Sequence, residues 1–247
     1  MYLPLTPGFF SIVAGFFVIV LTLRSVRYAY ESLGVSSNTA ILLLFATLIG
    51  SVFNIPITEL PPERVVSYYA TDFFGMRYAV PGFSHGKGTM LAVNVGGAVI
   101  PTLVSVYLLI KHQLRAKALV ATAVVAFVIH QIADLVPGLG IAMPVFVPVV
   151  VTAIVAMILS REEAAPLAYI AGSLGTLTGA DLTNLDKMRG LGAPVASIGG
   201  AGTFDGIFLT AILAVLLASS YTRPRAAQVA ATIMTAKREA LSIIAVP

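Results

Sequence analysis

From Gly88 to Ile110, and again from Leu135 to Ser160, the chain carries no Asp, Glu, Lys or Arg. Stretches of that kind match the roughly 20 apolar residues that a helix needs to cross the hydrocarbon core of a bilayer. Three acids, Asp134, Asp181 and Asp205, stand at the ends of or inside such runs. A carboxylate at the centre of a spanning helix costs about 2.5–3.5 kcal/mol on insertion scales, so it persists where it is paired or used. Hydrophobic residues make up 58% of the 247, and charged residues 11%. A soluble domain of this length cannot bury that much apolar side chain, so the sequence reads as an all-α, polytopic membrane protein.

Seven spans are expected by length: roughly 7–27, 38–53, 89–111, 114–134, 138–160, 165–182 and 195–221. The first lacks a basic leader region and reads as a span rather than a cleaved signal. Arg24 and Arg27, then Lys111, Arg115 and Lys117, then Arg161, then Arg223, Arg225, Lys237 and Arg238 all fall on one side of a seven-span chain. That side is expected to be cytoplasmic, with the amino terminus outside in a multi-pass cell-membrane protein. A weaker basic set, Arg64, Arg77, Lys87, Lys187 and Arg189, falls outside. The net charge of +4 thus reads as membrane anchoring, not nucleic-acid binding. The bundle is expected over residues 1–221, with an outer loop at 54–88. That loop reads as a small β-hairpin, with Arg64–Tyr69 and Phe73–Val80 separated by Thr71-Asp72. The tail 222–247 has apolar residues near helical spacing and reads as an amphipathic helix on the cytoplasmic surface.

This topology gathers the polar residues toward the outer face. His130 and Asp134, four apart, are expected on one face of the fourth helix. Asp181 ends the sixth span. Asp205 lies either about 15 Å along the seventh or in the first turn of a shorter helix, if Gly199, Gly200 and Gly202 break the span there. Asn54 and Asn94 lie toward the same side, and His85 precedes the third span. With no cysteine in the chain, disulfides, thiolate catalysis and zinc–thiolate sites are excluded. Imidazole and carboxylate donors from several helices suit a divalent metal: zinc first, then manganese, iron or magnesium. The expected ligands are His130, Asp134, Asp181 and Asp205, with His85 as a further one. Blander readings stand beside these. Asp134 and Asp181 fit helix ends at the water interface, His130 a carbonyl hydrogen bond, His85 an exposed loop, and His112 a solvated cytoplasmic position. Gly96-Gly97 fits close helix packing, and Pro101, Pro144 and Pro148 fit kinks.

Four stretches carry a family resemblance: Gly50–Ile57, Ala92–Pro101, Gly175–Leu182 and Gly192–Phe208, the last containing Gly-Gly-Ala-Gly-Thr-Phe-Asp. On them the chain resembles the uncharacterised prokaryotic integral membrane proteins grouped as domain of unknown function 1614, over most of its length except the tail. The resemblance implies a prokaryotic membrane protein whose acidic glycine motifs are shared features. It implies no activity.

Three functions fit the residues. The first is a metal-dependent membrane hydrolase, with the bound ion lowering the pKa of its water, Asp181 or Asp205 assisting and Asn94 orienting a small or lipid-linked substrate. The second is a metal-free aspartyl intramembrane protease in which Asp181 and Asp205 share a proton. Such proteases typically carry Gly-x-Gly-Asp, and the stretch here, Gly202-Thr-Phe-Asp205, has phenylalanine at the third position. The third is a divalent-cation or ion-coupled transporter, for which Asp205 beside a broken helix speaks. The mostly Ile, Val, Leu and Ala inner halves of the spans speak against it. The lipid bilayer is the expected partner, a second copy of the chain remains open, and a scaffold without chemistry leaves Asp205 unexplained.

Overall fold

A computed structural model describes residues 7–60, 64–73, 76–85, 88–136, 140–144, 146–190, 195–200 and 206–221. Asp205 and the tail 222–247 lie outside the described residues, as does the Gly202-Thr-Phe-Asp205 stretch. The described part is mostly helical with a small sheet. Its helices are α1 (Pro7–Ser32), α2 (Ser37–Gly50), α3 (Ile100–His112), α4 (Arg115–Ile132), α5 (Phe146–Leu159), α6 (Ala164–Thr176) and α7 (Gly206–Tyr221).

Two helical stretches, Val95–His112 and Arg115–Ile132, are long and apolar enough to cross a membrane. The pair α1 and α2, bent by 117°, counts as a third if it forms one span. Helices α5 and α7 are apolar but shorter. Large apolar side chains face outward from most helices, among them Leu42, Ile110, Leu119, Phe127, Phe146 and Ile158. An outer surface of that kind is costly in water and is consistent with a lipid environment.

Helix α6 is the centre of the bundle: every residue but Leu174 is buried. Its small residues are why neighbours come so close. A Cβ added at Gly172 would lie 3.0 Å from Ala211 Cα of α7, and one at Gly175 would lie 2.7 Å from a Val125 methyl of α4. Small residues at such spacing are the usual means of close helix approach in a bilayer, where lipid removes the hydrophobic drive for association.

Two expected spans begin as strands. The chain forms β4 over Thr89–Asn94 and turns helical only at Val95, through a π-helical turn (Val95–Val99) that leads into α3. It forms β7 over Val195–Ile198, and the described helix after it runs over Gly206–Tyr221. The physical reason is pairing. β4 lies between β1 (Asn54–Leu60), to which it is antiparallel, and β7, to which it is parallel. Both its backbone edges are therefore satisfied, and an apolar run with partners on both sides has no need of a helix. The fifth expected span likewise starts with strand β6 (Gly140–Ala142), paired to β5 (Asp134–Val136), before α5 begins.

The outer-loop hairpin is present as β2 (Arg64–Phe73) and β3 (Met76–His85). Its reversal lies further along than expected. Thr71 and Asp72 are paired with Tyr78 and Arg77 inside the ladder, and Phe73 is opposite Met76.

Three helix–helix turns meet at one end. Lys111 Nζ at the end of α3 donates to Gly34 O in the α1–α2 turn at 2.5 Å. Lys117 Nζ reaches Ser160 Oγ between α5 and α6 at 3.2 Å, and His112 Nδ1 lies 2.7 Å from Glu163 Oε2. His112 is therefore not the solvated residue its basic neighbours suggested; it tethers α3 to the start of α6. The sheet lies at the opposite end of α2, α3 and α6.

Candidate functional site

The sheet end draws four motif regions together around Asn94. This residue closes β4 in an extended conformation and caps the π turn after it: its Oδ1 accepts from Gly97 N at 2.8 Å. Its amide nitrogen donates to Ser51 O at 2.7 Å, just past α2, and to Asn54 Oδ1 at 3.1 Å, at the start of β1. Ser197 Oγ of β7 donates to the same Asn54 oxygen at 2.6 Å. Both amide protons of Asn94 are thus spent inside the junction, which an amide does with two acceptors. Asn94 is 1% exposed.

Glycines make the junction close. A Cβ at Gly96 would sit 2.2 Å from Thr47 O, and one at Gly97 only 1.8 Å from Gly199 O. Gly199 and Gly200 both take positive φ, +92° and +76°, the left-handed region that L side chains avoid. That turn points the Gly199 N–H at Asp181 Oδ2, at 2.7 Å. Asp181 closes a second π-helical turn (Leu177–Asp181) at the end of α6 and is buried. π turns are rare and concentrate at functional sites. This junction is bracketed by two of them, one opened by Asn94 and one closed by Asp181.

Helix α6 brings a polar face to the same place. Tyr169, Ser173 and Thr176 recur at helical spacing and are buried. The π turn that follows carries the chain on to the buried Asp181. The hydroxyls of Ser105, Thr152 and Thr176 have no hydrogen-bond partner among the described residues. The bundle interior therefore holds buried hydroxyls among its aliphatic side chains.

His130 lies beside the same turn. Its Nδ1 is 2.9 Å from Thr183 Oγ1, and that hydroxyl donates its one proton to Gly179 O at 2.8 Å. With the hydroxyl proton on Gly179 O, the imidazole is the donor and the lone pair of the neutral ring lies on Nε2. Asn184, buried, donates to Ala180 O at 2.9 Å and accepts from Lys187 Nζ at 2.9 Å.

The other expected ligands are placed differently. Helix α4 ends at Ile132 and Ala133 is extended, so Asp134 does not share a helix face with His130. It opens β5, paired with Ala142, and is exposed. His85 ends β3 opposite Arg64. Among the described residues no group of three or more His, Asp or Glu is arranged to hold a metal ion. Ser197 and Thr183 were not among the expected site residues, and Asn54 was expected on this side without a role. Single hydroxyls and amides carry no spacing signal, although Asn54 and Ser197 lie inside the motif stretches.

A family model described as Protein of unknown function (DUF1614) matches residues 48–217. No curated protein and no solved structure matches the chain.

Proposed function

Since the chain belongs to the DUF1614 family, whose description assigns no activity, the junction is the only guide to function, and we propose that the chain is a multi-pass membrane carrier for a cation coupled through Asp181. The observation that carries this reading is the buried hydroxyl face of α6, leading to a buried carboxylate at a break in regular structure. Carrier sites typically lie where helices are interrupted, because irregular backbone at membrane depth is tolerated around a polar cavity. Two strands, β4 and β7, each followed by a glycine pair, run parallel at that break. In this reading the three helix–helix turns, with Lys111, Arg115, Lys117 and Arg161 near them, face the cytoplasm and the junction faces outward. Purified protein in proteoliposomes, with an ion-sensitive dye and imposed proton or sodium gradients, tests it. Zinc or manganese uptake above empty vesicles, lost in Asp181→Asn, is the expected result. Uptake equal to empty vesicles under every gradient sinks the carrier.

A second reading, a zinc-dependent hydrolase acting on a small or lipid-linked substrate, is favoured by His130. Thr183 holds its Nδ1–H and leaves Nε2 as the available donor atom, the arrangement that outer partners impose on metal-ligating histidines. The ligands would be His130 and Asp181, which the junction holds, with Asp205 added from the sequence. Bound zinc in purified protein, reduced in His130→Ala and Asp205→Asn, is its signature. Equal, near-zero metal in all three removes it.

A further inference from the structure

At the end where the three helix–helix turns meet, most cations are already engaged. Lys111 is bonded to Gly34, Lys117 to Ser160 and His112 to Glu163. Arg115, exposed at the start of α4, has no such partner among the described residues. It stands at the rim of a cleft of about 240 Å³. The walls of that cleft are Leu109 of α3, Leu119 and Thr122 of α4, and Ile170 and Leu174 of α6. Leu119 is 72% exposed, so the cleft opens onto the apolar outer surface and not into the bundle.

The pattern recurs. A second cleft, of about 360 Å³, pairs Arg161 and Tyr221 with Ile154, Met157 and Ile158. Arg161 belongs to the α5–α6 turn, which Lys117 ties to the α3–α4 turn through Ser160. Both clefts therefore lie toward the same end of the bundle, each with an arginine side chain beside an aliphatic wall.

We propose that the Arg115 cleft is a binding site for an anionic phospholipid, its phosphate on the guanidinium and an acyl chain against Leu109, Leu119 and Leu174. A guanidinium is suited to phosphate because its forked donors match two oxygens at once. Basic pockets between helices at the cytoplasmic level are where acidic headgroups collect. A soluble anion would gain nothing from the aliphatic wall, and a neutral lipid nothing from the arginine. This inference rests on the bilayer placement proposed above and is independent of whether Asp181 serves transport or hydrolysis.

Delipidated full-length protein in a non-ionic detergent, titrated with phosphatidylglycerol or phosphatidylethanolamine and read by native mass spectrometry, tests it. Wild type should retain phosphatidylglycerol preferentially. Arg115→Gln should weaken that retention about fivefold, the effect of one surface cation on an acidic lipid. Leu119→Glu, which places a like charge where the acyl chain lies, should weaken it as well, while Arg24→Gln should leave it unchanged. Unchanged thermal unfolding keeps the variants comparable. Equal retention of both lipids by wild type overturns the proposal, as does an unaltered Arg115→Gln. Displacement of the lipid by inorganic phosphate alone would mark a simple anion site and overturn it too. Release of the chain from membranes by a carbonate wash would instead defeat the bilayer placement itself.

Discussion

The amide of Gly199 donates to the Asp181 carboxylate at 2.7 Å, joining residues 18 apart in sequence. The bond ties the left-handed glycine turn after β7 to the π turn that ends α6. A buried N–H left without its acceptor costs about 1–3 kcal/mol. Asp181→Ala should therefore lower stability by about 2 kcal/mol, and Asp181→Asn, which keeps an acceptor oxygen, by less. Thermal unfolding of the detergent-solubilised variants measures the difference; an equal loss in both would make charge, not the bond, the stabilising element.

Gly97 tolerates no side chain. A Cβ there would meet Gly199 O at 1.8 Å, backbone against backbone. Gly97→Ala should cost more than about 2 kcal/mol, at the upper end of overpacking effects. Gly199→Ala should do the same through its positive φ. Unfolding midpoints close to wild type for either variant would contradict the close approach.

Asn94 discriminates between acid and amide. Its nitrogen faces two acceptors, Ser51 O and Asn54 Oδ1. Asn94→Asp would set a carboxylate oxygen against both, so it should destabilise more than Asn94→Ala, although it is nearer in shape. The expected costs are about 3 and about 2 kcal/mol. The reverse order in a chemical or thermal unfolding series would show that the amide donates elsewhere.

The tautomer of His130 follows from a single hydroxyl. Thr183 spends its proton on Gly179 O, so Nδ1 of His130 is the protonated nitrogen. Nitrogen NMR of selectively labelled protein should give the Nδ1–H form at alkaline pH. Thr183→Val removes the acceptor and should shift the population toward Nε2–H, the form favoured in free imidazole side chains. An unchanged spectrum would place the control outside Thr183.

The absence of cysteine makes topology directly measurable. Single substitutions Ser36→Cys and Glu162→Cys, at the helix–helix turns, should react with an impermeant thiol reagent only in inverted vesicles. Glu59→Cys on β1 should react in intact cells. Labelling of all three from the same side would contradict the placement of sheet and turns at opposite ends.

Much of the helical layout was legible from the uncharged runs. The bounds of α2 and α4 fall within a few residues of those expected, as do those of α6 once its π turn to Asp181 is included, because apolar length marks them directly. Thr89–Asn94 and Val195–Ile198 were not legible as strands. Both are apolar, short and continuous with a following helix, and their identity depends on each other across a hundred residues. The glycines at 96, 97, 199 and 200 were visible as packing or breaking signals, but not as one contact. The pairing of His130 with Asp134 failed for a local reason: the helix stops at Ile132, and four-residue spacing means a shared face only while the helix lasts. Asp205 lies outside the described residues, and its place in the proposed chemistry rests on the sequence.

The parallel register of β4 and β7 has a consequence for biosynthesis. Met90 pairs with Val195 and Val93 with Ile198, so one edge of β4 has no partner until the ribosome has completed four later helices. Non-local pairing of that kind forms late because the intervening chain must first be ordered. The junction therefore cannot close until α2 through α6 are already made. A nascent chain halted before Val195 would hold its helices while leaving the Asn94 edge open to any other strand.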